Sequence, residues 1–401
     1  MEKVLAAIEF GSRKLKMVIG YEIDGQVYVF YAITKDYSGC IENGKIIDPK
    51  PILDLTKDIK FFTDDGAKLR LNISEVLLSL PPFGLQVLFA DPVTTVTSEE
   101  GKIASLDIKN LYNLIRNGTS QIDNELITIV PTQYFMDHGR TCSATPLGEI
   151  SSTLKLNAFV HTIPRNVVEE YSSLLTANGV SVKKSIASPF GAASLIGSYS
   201  EFPEDYILLD IGSDLSTISL VGKKNVYCSV TFKWGGFDIT KAIMNSFEIN
   251  EIEAEYIKIT YGLDNRIFNF NAPVFESVKE DGSPNKHYQE ELNDVIKGEL
   301  LNFLNKYKIN LDILLNKDSY DQSFHRFPLL ITGGCSLLVG LKEFLEPKID
   351  NEKVMIVVPK CLGARNPTFT NCLGLILASN KCPNVYDENH PNIGKLTRDT
   401  K

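Results

Sequence analysis

The chain has 401 residues, and at about 100–200 residues per domain this length excludes a small single-core module. Charged residues make up 23% and the hydrophobic set 43%, ordinary globular values that exclude a largely disordered chain. The 41 basic and 50 acidic residues give a net charge of −9, with no Lys/Arg block, which argues against nucleic acid as a partner.

The chain opens as a meander of three strands, Val4 to Phe10, Leu15 to Ile23 and Gln26 to Ile33, turned at Gly11-Ser12 and Asp24-Gly25. Ile73 to Leu80 runs into Pro81-Pro82-Phe83-Gly84, where the paired prolines break any regular element and set a subdomain boundary. From about Leu85 to His161 the pattern is a small α+β unit: a strand, a helix near Ser105 to Arg116, and strands at Leu126 to Val130 and Leu154 to Val160. A helix over Val167 to Ala177 stops at Asn178-Gly179, and Pro189 to Ile196 forms another short one. Beyond Gly235-Gly236 come helices over Ile239 to Phe247 and Ile252 to Tyr261, a polar loop over Lys279 to Pro284, and a long amphipathic helix over Gln289 to Tyr307. Phe327 to Thr332 reads as a buried strand, followed by a helix through Leu337 to Leu345 and a strand over Lys353 to Val358. Residues from Lys381 onward read as a flexible tail.

Several features bound the function. Seven cysteines (Cys40, Cys142, Cys228, Cys335, Cys361, Cys372, Cys382) are scattered without a CxxC pair, which fits reduced cytosolic thiols better than disulfides or a zinc site. The start, Met1-Glu2-Lys3-Val4, carries no export signal, and no segment approaches about 18 apolar residues, so neither secretion nor a membrane span is expected. The sequons at Asn72 and Asn117 are then chance matches. His138, His161, His287, His325 and His390 lack metal-ligand spacing, and no Cys or Ser triad signature is present. Trp234, the single tryptophan, reads as packing rather than as a ligand contact.

The informative feature is an internal repeat at one offset of 201 positions. Ala7-Ile8-Glu9-Phe10-Gly11-Ser12, followed by Leu15 to Ile19, parallels Leu208-Leu209-Asp210-Ile211-Gly212-Ser213, followed by Thr217 to Val221. Each copy is strand, acid, Gly-Ser turn and return strand, a geometry that offers backbone N–H groups and a hydroxyl to a phosphate. Taken singly, each Gly-Ser reads as an ordinary hairpin turn; as a matched pair, the two predict pseudo-twofold lobes that clasp a polyphosphate from both sides. Glu9 and Asp210 are then expected to hold Mg²⁺ through water, since Mg²⁺ dehydrates reluctantly, and Lys14 to neutralise the phosphate. Neither copy is a Walker loop, because GxxxxGK[ST] is missing and both continue into strand. A third motif, Leu329 to Leu337, runs from strand through Gly333-Gly334 into an expected helix whose N-terminus would favour a flat, anionic ligand.

These three motifs, in this order, resemble the actin-like ATPase superfamily, and within it the chain resembles the FtsA family of bacterial cell division proteins. The resemblance runs roughly from Leu5 to Leu377 and is carried by Val130-Pro131-Thr132-Gln133-Tyr134-Phe135-Met136-Asp137 with Pro146-Leu147-Gly148, by Trp234-Gly235-Gly236-Phe237-Asp238-Ile239-Thr240-Lys241, and by Asn366-Pro367-Thr368-Phe369-Thr370-Asn371-Cys372-Leu373-Gly374-Leu375. It implies an α/β, actin-like two-lobed fold with duplicated sheet/helix halves and an inserted α+β subdomain. Residues 1–84 and 162–197 would form the first lobe, 85–161 the insertion, 198–248 and 320–380 the second lobe, 249–319 its smaller subdomain, and 381–401 the tail.

The resemblance further implies ATP and Mg²⁺ between the lobes. Gly11, Ser12, Arg13 and Lys14 fall in the first phosphate loop and Asp210, Gly212, Ser213 and Asp214 in the second. Gly235 and Gly236 lie on the phosphate side; Glu255 and Lys258 match ribose and adenine positions, with an exposed i,i+3 ion pair as the alternative; Gly333, Gly334, Cys335 and Leu337 complete the adenosine pocket. FtsA-like proteins assemble into actin-like filaments and tether the tubulin-like FtsZ to the cytoplasmic face of the membrane at the division site, and the inserted subdomain is expected to meet other division proteins. The acid Glu9 is one methylene longer than the family's usual Asp, so it either displaces Mg²⁺ or fills its site; Asp214 stands where Gly is common. Ser188-Pro189 occupies the connecting segment where faster relatives carry Glu or Gln to position attacking water, so weak binding or slow hydrolysis is expected. Asn384 to Lys401 has one apolar cluster interrupted by Pro391, so the basic amphipathic anchor of the family is not visible there and membrane contact is expected to be peripheral. Two other readings are a metabolic kinase or phosphatase of the same superfamily, which needs a general base that the connecting segment does not offer, and a pilus-assembly adaptor.

Overall fold

The computed structural model describes residues 4–37, 39–64, 66, 68–119, 123–264, 273–278, 283–317 and 326–382. Two sheets of five strands share one plan. In the first, Leu5–Phe10 sits between the antiparallel Lys14–Ile23 and the parallel Glu75–Leu80, with Gln26–Asp36 and Ser181–Ala187 at the edges. In the second, Tyr206–Ile211 sits between the antiparallel Leu215–Gly222 and the parallel Leu329–Thr332, with Asn225–Lys233 and Val354–Ile356 outside. The hairpin registers superpose by the offset read from sequence: Leu5 faces Gly20 and Phe10 faces Leu15, while Tyr206 faces Val221 and Ile211 faces Ser216. Near-continuous apolar runs such as Leu-Ala-Ala-Ile are what a strand covered on both faces requires.

Two helices, Ser188–Ile196 and Thr370–Lys381, cross between the sheets. They meet at Gly191 and Gly374, where a β-carbon on Gly374 would stand 1.8 Å from the Gly191 carbonyl oxygen, so only glycine allows this approach. Leu5, Val18 and Leu77 of the first sheet, Leu208 and Val221 of the second, and Phe190, Leu373 and Ile376 of the helices form one buried cluster. That shared core joins the two halves. Outside it, Arg165–Thr176 covers the far face of the first sheet, while Gly236–Phe247 and Gln289–Lys317 cover that of the second. A third sheet, Gln86–Ala90, Val93–Thr95, Asn124–Met136, Thr141–Cys142 and Thr153–Pro164, packs on the helix Ser105–Thr119. The expectation of a mixed α/β fold with duplicated sheet and helix halves is met.

Three elements differ from the sequence reading. The helix expected to end at Tyr307 runs to Lys317, because Phe303, Tyr307, Leu311 and Leu314 prolong its buried stripe at helical spacing. Gly333-Gly334 opens no α-helix: Gly334–Leu337 is a single 3₁₀ turn, and Gly340 at φ +79° separates it from the short helix Leu341–Leu345. A β-carbon on Gly340 would lie 2.1 Å from the Leu263 carbonyl oxygen, which is why the chain breaks there. Pro284 belongs to the strand Pro284–His287, paired with Phe275–Val278; the rest of the loop expected over Lys279 to Pro284 lies outside the described residues save Ser283. The tail falls outside the described residues from 383, and Lys381 and Cys382 end the last helix. None of the seven cysteines is in a disulfide. No helix among the described residues is long and apolar enough to cross a membrane.

Candidate functional site

The two acid-Gly-Ser turns close in the same way. The Gly11 N–H donates to the Lys14 carbonyl at 3.0 Å and the Gly212 N–H to the Leu215 carbonyl at 2.9 Å, the same bond at the same offset. Each turn follows an acid at the penultimate position of a central strand, so Glu9 and Asp210 approach one another at the floor between the sheets. Their meeting point is Asn371, in the first turn of the second crossing helix. Its Nδ2 donates to Glu9 Oε1 at 3.2 Å and to Asp210 Oδ2 at 3.2 Å. Because each acid comes from a different sheet, this one amide nitrogen ties the halves together.

The cation at the floor is Lys16. It is the register partner of Glu9 across the hairpin and donates from Nζ to Glu9 Oε1 at 3.0 Å, with both side chains nearly buried. Burial works against the Lys16 ammonium, but the charges of Glu9 and Asp210 outweigh it and its pKa is raised. Asp210 also shifts upward, through burial first and Glu9 second, against the pull of Lys16 and Asn371. Lys14, expected here, points elsewhere: its Nζ lies 3.3 Å from Asp36 and half its side chain is exposed. In an extended strand alternate residues face opposite ways, so Lys14 and Lys16 share one face, and only position 16 falls level with the acid.

The second loop is built by close backbone approach. The Gly236 and Phe237 N–H groups donate to the Gly212 and Ser213 carbonyls at 2.9 and 2.8 Å, and a β-carbon on Gly235 would stand 2.1 Å from Ser213 O. Gly333 is needed twice: its φ of +88° is left-handed, and a β-carbon there would stand 2.3 Å from Asp210 Oδ1. Asp214, half-buried beside these turns, has its pKa raised by burial, with Ser213, Arg13 and Lys241 opposing.

Across the mouth, Arg13 of the first loop reaches the second half. Its guanidinium carbon lies 3.7 Å above the Phe237 ring and it pairs with Glu251. Lys241 lies 4.7 Å from the centre of the same ring. Behind it, Lys258 makes the i,i+3 pair with Glu255, whose side chain is 43% exposed, and anchors the helix besides: Nζ donates to Gly236 O at 3.0 Å, Thr240 Oγ1 at 2.8 Å and Glu255 Oε2 at 2.6 Å. Burial pushes Glu255 up, yet Lys258 and Thr240 hold its pKa below the ordinary value. Of the third motif, Gly334 and Leu337 are exposed at the rim, while Cys335 is buried against Gly236 and its thiol is pushed up to about 11 by burial. Trp234 is buried against Phe303 at 4.5 Å, which is packing. Sequence reasoning missed Lys16, Asn371, Thr240 and Phe237; the hairpin register alone would have found Lys16.

The floor fits a hydrated divalent ion. Glu9 Oε2 and Asn371 Oδ1 are buried acceptors with no hydrogen-bond partner in the protein, and the waters of such an ion are donors. Among the described residues no cluster of three or more His, Cys, Asp or Glu side chains is placed to hold a metal directly.

Against known proteins, the sequence model described as "Cell division protein FtsA" matches residues 207–374. The chain is 22% identical to the FtsA of Enterococcus faecalis over 94% of its own length and 84% of the relative's. It is 24% identical to that of Enterococcus hirae, again over 94% and 84%. Among solved structures it resembles the PilM-PilN type IV pilus biogenesis complex, with TM-score 0.59, 17% identity, and 93% and 98% of the two chains covered. It also resembles MreB 5 of Spiroplasma citri bound to AMPPNP, with TM-score 0.52, 14% identity, and 93% and 94% covered. These structures share the fold.

Proposed function

We propose that this chain, an actin-like protein similar to FtsA across nearly its whole length, binds ATP with Mg²⁺ between its halves and uses it as an assembly switch. The observation that carries the reading is the pair of identically closed acid-Gly-Ser turns facing each other, whose acids meet on Asn371. Nucleotide phosphates would lie between the turns, with Lys16 supplying the fixed positive charge and Gly235 and Gly333 leaving room for close backbone approach. Gly334, Cys335 and Leu337 with Glu255 and Lys258 would border the nucleoside. Mg²⁺ would screen the phosphate charge, its waters held by Glu9, Asp210 and Asn371. Ser188 and Pro189 supply no general base, so slow turnover is expected.

On this reading the protein forms an actin-like filament with itself, links FtsZ to the inner face of the cytoplasmic membrane at the division site, and touches the membrane only peripherally. The subdomain over 249–319 would meet FtsZ and the insertion over 85–161 other division proteins. The match of residues 207–374 to the FtsA sequence model and the FtsA relatives, covered over 84% of their length, support this reading over a pilus-assembly adaptor or a metabolic kinase. The test is calorimetry with Mg·ATP on the full chain and on Asp210→Ala, with FtsZ co-pelleting in parallel. Binding lost in the variant, with FtsZ pelleting in an ATP-dependent way, is the expected result. ATP binding without FtsZ capture would overturn the division role, and no binding by the parent chain would overturn the switch.

A further inference from the structure

We propose that Asn371 is a positioning residue of the phosphate site, one that locks the two acids at a single spacing and holds the water shell of the divalent ion from the second crossing helix. The inference rests on the Mg·ATP reading above and deepens it.

Three observations meet at this side chain. Both hydrogens of its Nδ2 are used, one on the acid of each half, at 3.2 Å apiece. An amide turned the other way would set its carbonyl oxygen against two carboxylates, so the network itself assigns nitrogen and oxygen. The remaining atom, Oδ1, is buried and has no partner, although Asn371 is only 4% exposed. Glu9 Oε2 is likewise buried and unpartnered, and so is the Ser79 hydroxyl, at the same register level as Glu9 on the neighbouring parallel strand. Leaving buried acceptors unmade is costly, so two of them on adjoining side chains mark a place where donors belong.

The fold explains why this helix supplies the group. The crossing helices meet at Gly191 and Gly374, and three residues before these glycines stand Ser188 and Asn371. The two helices thus carry Ser188 and Asn371 at matching distances from their crossing point. The first carries a short hydroxyl, two bonds from the backbone; the second carries an amide that reaches both acids. The amide's oxygen then complements the carboxylate of Glu9, and the pair presents two fixed acceptors to water around a cation. Lys16, on the other side of Glu9, occupies Oε1 and so leaves only Oε2 facing that shell.

The test uses the full chain with ATP and Mg²⁺ as probes, and reads binding and melting rather than turnover. ATP affinity is measured with Mg²⁺ and with EDTA for the parent chain and Asn371→Ala. The variant is expected to lose about 10–100-fold of the Mg²⁺ enhancement, taken as the ratio of the two affinities, the usual cost of removing an outer-shell partner. Full retention of the enhancement would overturn the proposal. Should Asn371→Ala fail to fold, Asn371→Gln repeats the measurement. Asn371→Asp, melted without nucleotide, gives an independent readout. A third carboxylate beside Glu9 and Asp210 lowers the melting temperature in EDTA, and Mg²⁺ restores it if the ion's shell lies there. A melting temperature indifferent to Mg²⁺ would overturn the proposal, whereas absence of ATP binding in the parent chain would overturn only the nucleotide reading and leave this result to decide the role of Asn371.

Discussion

Lys16→Met is the perturbation that most directly separates the cleft seen in the structure from the one expected of the sequence. Lys16 and Glu9 have side chains 15% and 13% exposed and sit 3.0 Å apart, so removing the ammonium leaves a carboxylate buried with only the Asn371 amide. Breaking a buried pair from one side costs about 3–5 kcal/mol. Glu9→Gln added to Lys16→Met removes the stranded charge and is expected to recover most of that loss, since replacing both partners is often near neutral. Lys14→Met, whose partner Asp36 is 74% exposed, is expected to cost under about 1 kcal/mol. Urea unfolding followed by far-UV circular dichroism measures all four chains. The pH dependence follows from the direction of the Lys16 shift. Its pKa is raised above 10.5 in the folded state, so the contribution is fully present below that value and is lost only as pH rises through the folded pKa. Equal losses for Lys14→Met and Lys16→Met, or no recovery in the double variant, would refute the reasoning.

Three more substitutions probe the cleft. Gly333→Ala combines a φ of +88° with a β-carbon 2.3 Å from Asp210 Oδ1 and 2.4 Å from Ile211 O; it is expected to cost about 2–5 kcal/mol by thermal melting, whereas Gly334→Ala, whose β-carbon meets only Thr368 Cγ2 at 3.4 Å, stays within about 0.5 kcal/mol. Arg13→Ala removes the ring stacking and the Glu251 pair that span the mouth, so release of a fluorescent ATP analogue should quicken severalfold with about 1 kcal/mol lost in stability; an unchanged release rate would show that the span does not gate the cleft.

Much of this protein is local and therefore readable from the chain. The strand-acid-Gly-Ser-strand unit is a hairpin whose turn chemistry and alternation are contained in about twenty residues, and its recurrence 201 positions later determines the pseudo-twofold plan. Gly333 was legible as a close approach, though to a flat ligand, whereas the structure sets it against Asp210 and Ile211. The helix from Gln289 was legible in kind but not in length, because whether Leu311 and Leu314 belong to its buried face depends on the sheet that covers them. What the tertiary structure alone decided is who meets whom at the floor. Lys16 is the exception, because the local hairpin register sets it opposite Glu9 and so selects it over Lys14. Asn371 lies 362 positions from Glu9 and 161 from Asp210, so nothing local could announce that its amide bridges them. That contact follows from two helices crossing at paired glycines, a packing constraint set by the whole core, and long-range packing of this kind leaves no period or motif in the sequence that obeys it.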